Sequence, residues 1–278
     1  MNGRSIDHVV LAVHDLDRAA ASLEASGFTL TPRGTHPDNM GTSNRLAQFA
    51  SRNYLELLEV DRPGGVDDHD LKSRPPRFSF GAHQKAFLRR VQGLSTLLLT
   101  CRDGREAIAE FRAAGLNTYA PFDFERTATL PDGQQVKVAF TLGFVTDPLM
   151  PLLAFAVCQH RFPENFWRAQ YQRHGNGAQS IAVIYMAARE PKRHVPFLAA
   201  LTGGRATEVT GGYEIRTGPS RIVVLTPERL NKLGKGGTYD AGHGPAFAGL
   251  AITTSGEPPK SSAAEYPGGI FIDWRRLE

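Results

Sequence analysis

The sequence predicts an α+β fold built from a repeated βαβββ unit, and two observations carry that prediction. Residues 6–28, IDHVVLAVHDLDRAAASLEASGF, recur as residues 94–116, LSTLLLTCRDGREAIAEFRAAGL, at a constant offset of 88 without a gap. Under that offset Asp15 falls on Asp103, Ala19 on Ala107, Leu23 on Phe111 and Gly27 on Gly115. Each copy reads as an apolar strand, an Asp turn, an Ala-rich helix and a Gly stop. Duplicated modules commonly share one surface and build a site on it. The site is therefore to be sought where the copies differ, and His8 of the first copy faces Thr96 in the second.

The elements follow in order. Residues 5–13 form a strand whose last six residues include five of Val, Leu or Ala, a sign of burial. Asp15 or Asp17 caps the next helix, which sets Ala19, Ala20 and Leu23 on one face and stops at Gly27. Phe28 to Thr31 reads as a strand. The polar loop RGTHPDNMGTSN leads into the strands RLAQFA and NYLELLEV. Residues 61–85, rich in Pro, Gly, Asp and Arg, read as an excursion with little regular structure. The second module spans 93–160, with a hairpin turning at Asp132-Gly133 and a last strand LLAFAVCQ.

Residues 161–178 read as a connector whose aromatics, Phe162, Phe166, Trp167 and Tyr171, plug a core. A weaker third copy starts at Gln179: SIAVIYMAA, the helix HVPFLAALTGG, then YEIRT and RIVVLTP. Residues 230–246 read as a flexible loop, and the strands FAGLAITT and GGIFIDWR make a truncated fourth module. The expected organisation is thus a first module pair over 1–160 (modules at 5–60 and 93–160), the connector, and a degenerate second pair over 179–278.

Composition narrows the function classes. The chain has 278 residues, 41% hydrophobic and 22% charged, with a net charge of +4, as expected of a globular protein. The positive residues are dispersed and form no basic arm, which argues against nucleic acid as a partner. No run approaches the ~20 apolar residues of a membrane span. MNGRSIDHVV lacks the apolar core of a signal peptide, so a cytoplasmic protein is expected. The two cysteines, Cys101 and Cys158, have no CxxC partner and read as buried free thiols. There is no GxSxG, HExxH, phosphate loop or dinucleotide fingerprint.

The strand IDHVVLAVHDLDRA, the loop HPDNMGTSNRL and the strand NYLELLEV together resemble the vicinal oxygen chelate superfamily, in particular its glyoxalase-like branch. The resemblance implies paired βαβββ modules whose curved mixed sheets enclose a cleft. It also implies a divalent metal (Zn, Ni, Mn or Fe) that chelates neighbouring substrate oxygens and stabilises an enediolate. His8 matches the first-strand ligand and Glu56 the last-strand ligand. The second module departs from the pattern: Thr96 stands at the first-strand position and LLAFAVCQH has no Glu. Gln159 and His160 are the nearby donors, and on a regular strand only one of them faces the cleft.

Alternation places Tyr54, Glu56 and Leu58 on one face of their strand and Leu55, Leu57 and Glu59 on the other. The expected metal ligands are His8, Glu56 and His160. Glu56 and His36 are the candidates for moving a proton, and Thr42, Asn44 and Arg45 for binding substrate oxygens. Arg161 or Arg126 could bind an anion, but single arginines usually read as surface charge. The function expected is that of a metal-dependent lyase or isomerase acting on a small oxygenated metabolite. The alternatives are an antibiotic-type binding protein without chemistry, for which Thr96 and the missing Glu speak, and an extradiol-type dioxygenase. Pairing within the chain is the expectation, with pairing across a homodimer as the other arrangement open to this fold.

Overall fold

The structure, a computed structural model, describes residues 3–129, 133–233, 244–257 and 266–277. Module one comprises β1 (Ile6–Ala12), α1 (Leu16–Ala25), β2 (Gly34–Thr35), β3 (Ser43–Gln48) and β4 (Tyr54–Glu59). Helix α2 (Phe80–Leu88) precedes module two, which comprises β5 (Gly93–Thr100), α3 (Gly104–Ala113), β6 (Asn117–Thr118), β7 (Phe122–Thr129), β8 (Gln135–Thr146) and β9 (Ala154–His160). After the short α4 (Pro163–Phe166) come β10 (Ala178–Ala187), α5 (Val195–Thr202), β11 (Ala206–Val209), β12 (Gly212–Thr217), β13 (Ser220–Leu225), α6 (Pro227–Lys232), β14 (Ala246–Thr254) and β15 (Phe271–Arg276).

The repeat is physical as well as textual. Asp15 and Asp103 each cap their helix, accepting from the backbone N–H of Arg18 and of Arg105 and Glu106. Gly27 and Gly115 end the two helices at positive φ, 84° and 77°. Strands β1 and β5 lie antiparallel at the centre of the first sheet, whose order is β2-β3-β4-β1-β5-β9-β8-β6 with β7 also on β8. Each central strand pairs in parallel with the last strand of its own module, β1 with β4 and β5 with β9. The second sheet, β11-β12-β13-β10-β14-β15, repeats the scheme: β10 pairs in parallel with β13 and antiparallel with β14. Two module pairs, the last truncated, are what the sequence predicts.

Three expectations need correction. Residues 28–31 form no strand. They touch β3 through Thr31, which exchanges bonds with Leu46 and accepts from Arg45 Nε, and the edge strand is the two-residue β2. The 61–85 segment is not without regular structure, because Ser79 caps a helix, α2, that buries Gln84 and Phe87. Of the loop expected over 230–246, residues up to Lys232 belong to α6, capped by Thr226, and β14 starts at Ala246. Residues 234–243 lie outside the described part, as does Asp132 of the expected hairpin turn. Strand β11, largely exposed, carries no apolar alternation that would reveal it.

Strand alternation divides the first sheet into two faces. Val9, Leu11, Leu55, Leu57, Leu97 and Leu99 pack with Ile184, Met186 and Leu250 of the second sheet into one continuous core. Val10, Tyr54, Leu58 and Leu98 face the other way and pack with Phe140, Phe144 and Phe166. Among the described residues both cysteines are free, and no helix is long and apolar enough to cross a membrane.

Candidate active site

The second face carries a polar cluster at the middle of its apolar wall. It starts from a defect in β1. Successive residues of a regular strand point to opposite faces, yet here the β1–β5 register slips between Ile6, paired with Leu99, and His8, paired with Leu98. Such a bulge re-aims a side chain, and Asp7 and His8 meet: His8 Nδ1 lies 2.5 Å from Asp7 Oδ1. The other oxygen, Oδ2, is 3.0 Å from His160 Nε2. Asp7 is 2% exposed. Burial alone pushes its carboxyl up, but His160 and His8 outweigh burial and hold it well below the usual range.

Strand β4 brings Glu56 to the far side of His8, with Oε2 3.5 Å from His8 Nε2. Oε1 accepts a 2.6 Å hydrogen bond from the Asn44 amide on β3. The Asn44 Nδ2 group is also 3.2 Å from His36 Nε2, and His36 Nδ1 is 2.8 Å from Thr42 Oγ1. These partners define one consistent assignment: Asn44 donates to Glu56 and to His36 Nε2, and His36 donates from Nδ1 to Thr42. Burial lowers the His36 pKa to about 4, so its ring is neutral at pH 7. The ring of Tyr54 stacks on His8 at 4.2 Å. Phe166 and Trp167 of the connector pack on His160, so these two of the four connector aromatics line this wall.

Of the residues singled out in the sequence, His8, Glu56, His36 and Asn44 line one cavity of about 40 Å³, room for a few water molecules. Thr42 supports His36 from behind. Arg45 is not brought there; it turns to the opposite face of β3 and bonds Thr31 and Glu24. His160 faces the cluster, whereas Gln159 accepts from the Gly104 N–H at the start of α3. Two participants are absent from the sequence reading, Asp7 and Gln84, while Arg126, there a possible anion binder, lines the cavity. An acid beside a His inside a buried strand is the signal that points to Asp7.

The second module has lost both symmetry-related ligand positions. Val10 pairs with Glu56 and its counterpart Leu98 pairs with Ala156, so Ala156 stands where module one has Glu56. The hydroxyl of Thr96, counterpart of His8, accepts from Gln84 Nε2 at 3.0 Å, and Gln84 Oε1 accepts from Ser95 at 2.8 Å. Helix α2 thus closes this half with a satisfied polar network.

His83 of the same helix is buried, and its pKa falls to about 4 from the usual 6.5 because burial outweighs its contact with the Ser95 carbonyl. Between those values the unfolded chain binds a proton that the folded chain refuses. Stability is therefore expected to fall as pH drops through that window, by at most about 1.4 kcal/mol per pH unit for one group. The urea midpoint of His83→Gln should fall less steeply than that of the wild type between about pH 7 and about 4.5. Equal slopes would refute this origin.

Two groupings can be tested for a metal. A separation of 3.5 Å between His8 Nε2 and Glu56 Oε2 is long for a hydrogen bond. It suits two ligand atoms each about 2.0–2.2 Å from one shared ion. Asp7 on the other imidazole nitrogen is the outer partner that fixes such a histidine. The second grouping, Asp7, Cys158 and His160, brings its donor atoms within 4.8 Å of one another. Both Asp7 oxygens are already engaged by imidazoles, however, and burial raises the Cys158 thiol well above its usual pKa. The residues present fit an ion at His8 and Glu56 better.

Comparison with known proteins adds a family and a fold. A glyoxalase-like domain model matches residues 6–202. The chain has no match among curated proteins. A hypothetical protein from Staphylococcus aureus superimposes with a TM-score of 0.74 at 15% identity, over 98% of this chain and 99% of that one. A Mn(II)-bound glyoxalase from Novosphingobium aromaticivorans gives 0.53 at 13% identity, over 99% and 83%. A mutant of 4-hydroxymandelate synthase from Streptomyces coelicolor gives 0.51 at 13%, over 92% and 72%. At these identities the likeness is one of fold.

Proposed function

The chain belongs to the glyoxalase-like family, and from that premise we propose that its cleft binds a small oxygenated molecule and moves a proton on it, as a metal-dependent isomerase or lyase. The observation that supports this reading is the line Asp7–His8–Glu56, in which the buried carboxylate of Asp7 leaves His8 Nε2 free and aimed at Glu56.

In this reading His8 and Glu56 hold a divalent ion such as Zn, Ni, Mn or Fe. Bound there, the ion supplies Lewis-acid stabilisation of negative charge on neighbouring substrate oxygens. Asp7 fixes the tautomer of His8 and keeps its ring in place. His160 stands behind Asp7, so it acts on the ion's ligand and not on the ion. His36 is the proton acceptor. Thr42 holds its Nδ1–H, which leaves the Nε2 lone pair toward the cavity once the Asn44 amide turns to a substrate oxygen. The aromatic wall excludes water from the exchange.

The test is the metal content of the wild-type protein, as purified and after incubation with Zn, Ni, Mn and Fe. About one equivalent per chain is expected. No uptake of any of the four would end the metal reading. A second reading would then lead, and Thr96 and Ala156 favour it: a protein that binds its ligand in the same cleft without chemistry.

A further inference from the structure

We propose that Arg126 sets the ligand class of this pocket: a small carboxylate with a short apolar body. The proposal rests on the cleft being the ligand site, as in the reading above, but not on its holding a metal.

The argument starts from an imbalance of charge. Arg33, Arg45, Arg62, Arg105 and Arg161 each touch a carboxylate. Arg126 lines the cavity and, among the described residues, makes no hydrogen bond or ion pair. Burial lowers its pKa from the usual guanidinium value, and the opposing pull of Tyr54 and Glu56 does not make up for it. A half-buried cation without a hydrogen-bonded partner is costly, and a bound anion would reduce that cost. Arginine presents a planar pair of donors suited to a carboxylate.

The position of the guanidinium is built. Gly34 on the edge strand leaves the space: a Cβ there would lie 2.6 Å from Asn44 Oδ1 and 3.6 Å from an Arg126 terminal nitrogen. The cation therefore sits beside Asn44, the residue that holds Glu56 and His36. The rest of the wall is apolar, with Phe124, Phe140, Phe166 and Leu98. A ligand satisfies both halves if its carboxylate lies at Arg126 and its body against the phenylalanines. Glu56 opposes a second negative group beyond that carboxylate, which argues for a monoanion.

Calorimetric titration with propionate and with neutral propanamide tests this, on the wild type, Arg126→Met and Arg126→Lys. All three are measured as purified and after chelation. The wild type is expected to bind the carboxylate at least about tenfold more tightly than the amide, the scale of one charged hydrogen-bonded contact. Arg126→Met should abolish that preference with melting temperature and metal content unchanged, and Arg126→Lys should retain part of it. Failure of propionate to bind the wild type, equal affinity for acid and amide, or a preference that survives in Arg126→Met would each overturn the proposal. A preference lost on chelation and kept in Arg126→Met would place the carboxylate on the metal instead, and overturns it too. A wild type without metal that still shows the Arg126-dependent preference would sink the metal reading and leave this one standing.

Discussion

Replacing His8 by alanine is expected to abolish metal binding while leaving the chain folded. The imidazole supplies one of two inner donors, and Glu56 alone is a weak monodentate site in competition with water. The fold should survive because Asp7 keeps His160 as a partner at 3.0 Å and Tyr54 keeps its packing against Phe166 and Trp167. Asp7→Asn should act in the same direction through the outer position. The imidazole stays, its tautomer is no longer fixed by a carboxylate, and metal affinity is expected to weaken by about ten- to a hundredfold. Equilibrium dialysis with Zn and Mn on the wild type, His8→Ala and Asp7→Asn reads both. Full metal content in His8→Ala would move the ion to Asp7, Cys158 and His160. Cys158→Ala would then be the variant that loses it.

How much of this site was legible in the sequence depends on strand regularity. Glu56 was placed on the correct face by alternation, and the structure sets Tyr54 and Leu58 with it and Leu55 and Leu57 against it. The same rule separated Gln159 from His160. It failed at Asp7, because a bulge breaks the alternation and no residue in IDHVV announces one. Arg45, expected to bind substrate, instead lies on the opposite face of β3 from Asn44, as strand alternation requires of neighbours. Gln84 was hidden for a different reason: its helix follows a Pro- and Gly-rich stretch, and only tertiary burial reveals that its amide closes the Thr96 side. For Arg126 the sequence leaves anion binding and surface charge side by side. Its place at the cavity beside Gly34 is a long-range fact that local pattern does not encode. The family resemblance, by contrast, was carried by contiguous motifs and needed no tertiary knowledge.

Substitution of Phe155 by alanine tests whether the two module pairs are one cooperative unit. Phe155 lies on β9 with no exposure, on the face away from the cleft. It meets Phe197 of α5 at 5.0 Å and Phe247 of β14 at 5.8 Å, both edge-on. The second pair thus packs its residues directly against the back of the site-bearing sheet. Phe155→Ala removes ring contacts on both sides of that seam and is expected to cost about 3–5 kcal/mol, the usual range for a buried aromatic. Urea denaturation should show one transition displaced to lower urea, not two. A loss below about 1 kcal/mol, or a second transition unaffected by the variant, would mean the halves fold separately. Neighbouring Ala156 points into the cleft cluster while Phe155 points out of it. Metal content at saturating ion should therefore stay at the wild-type level under conditions where Phe155→Ala remains folded. The pair of outcomes, stability reduced and site intact, would assign the degenerate C-terminal modules the role the packing gives them: a scaffold that backs the sheet whose other face carries the site.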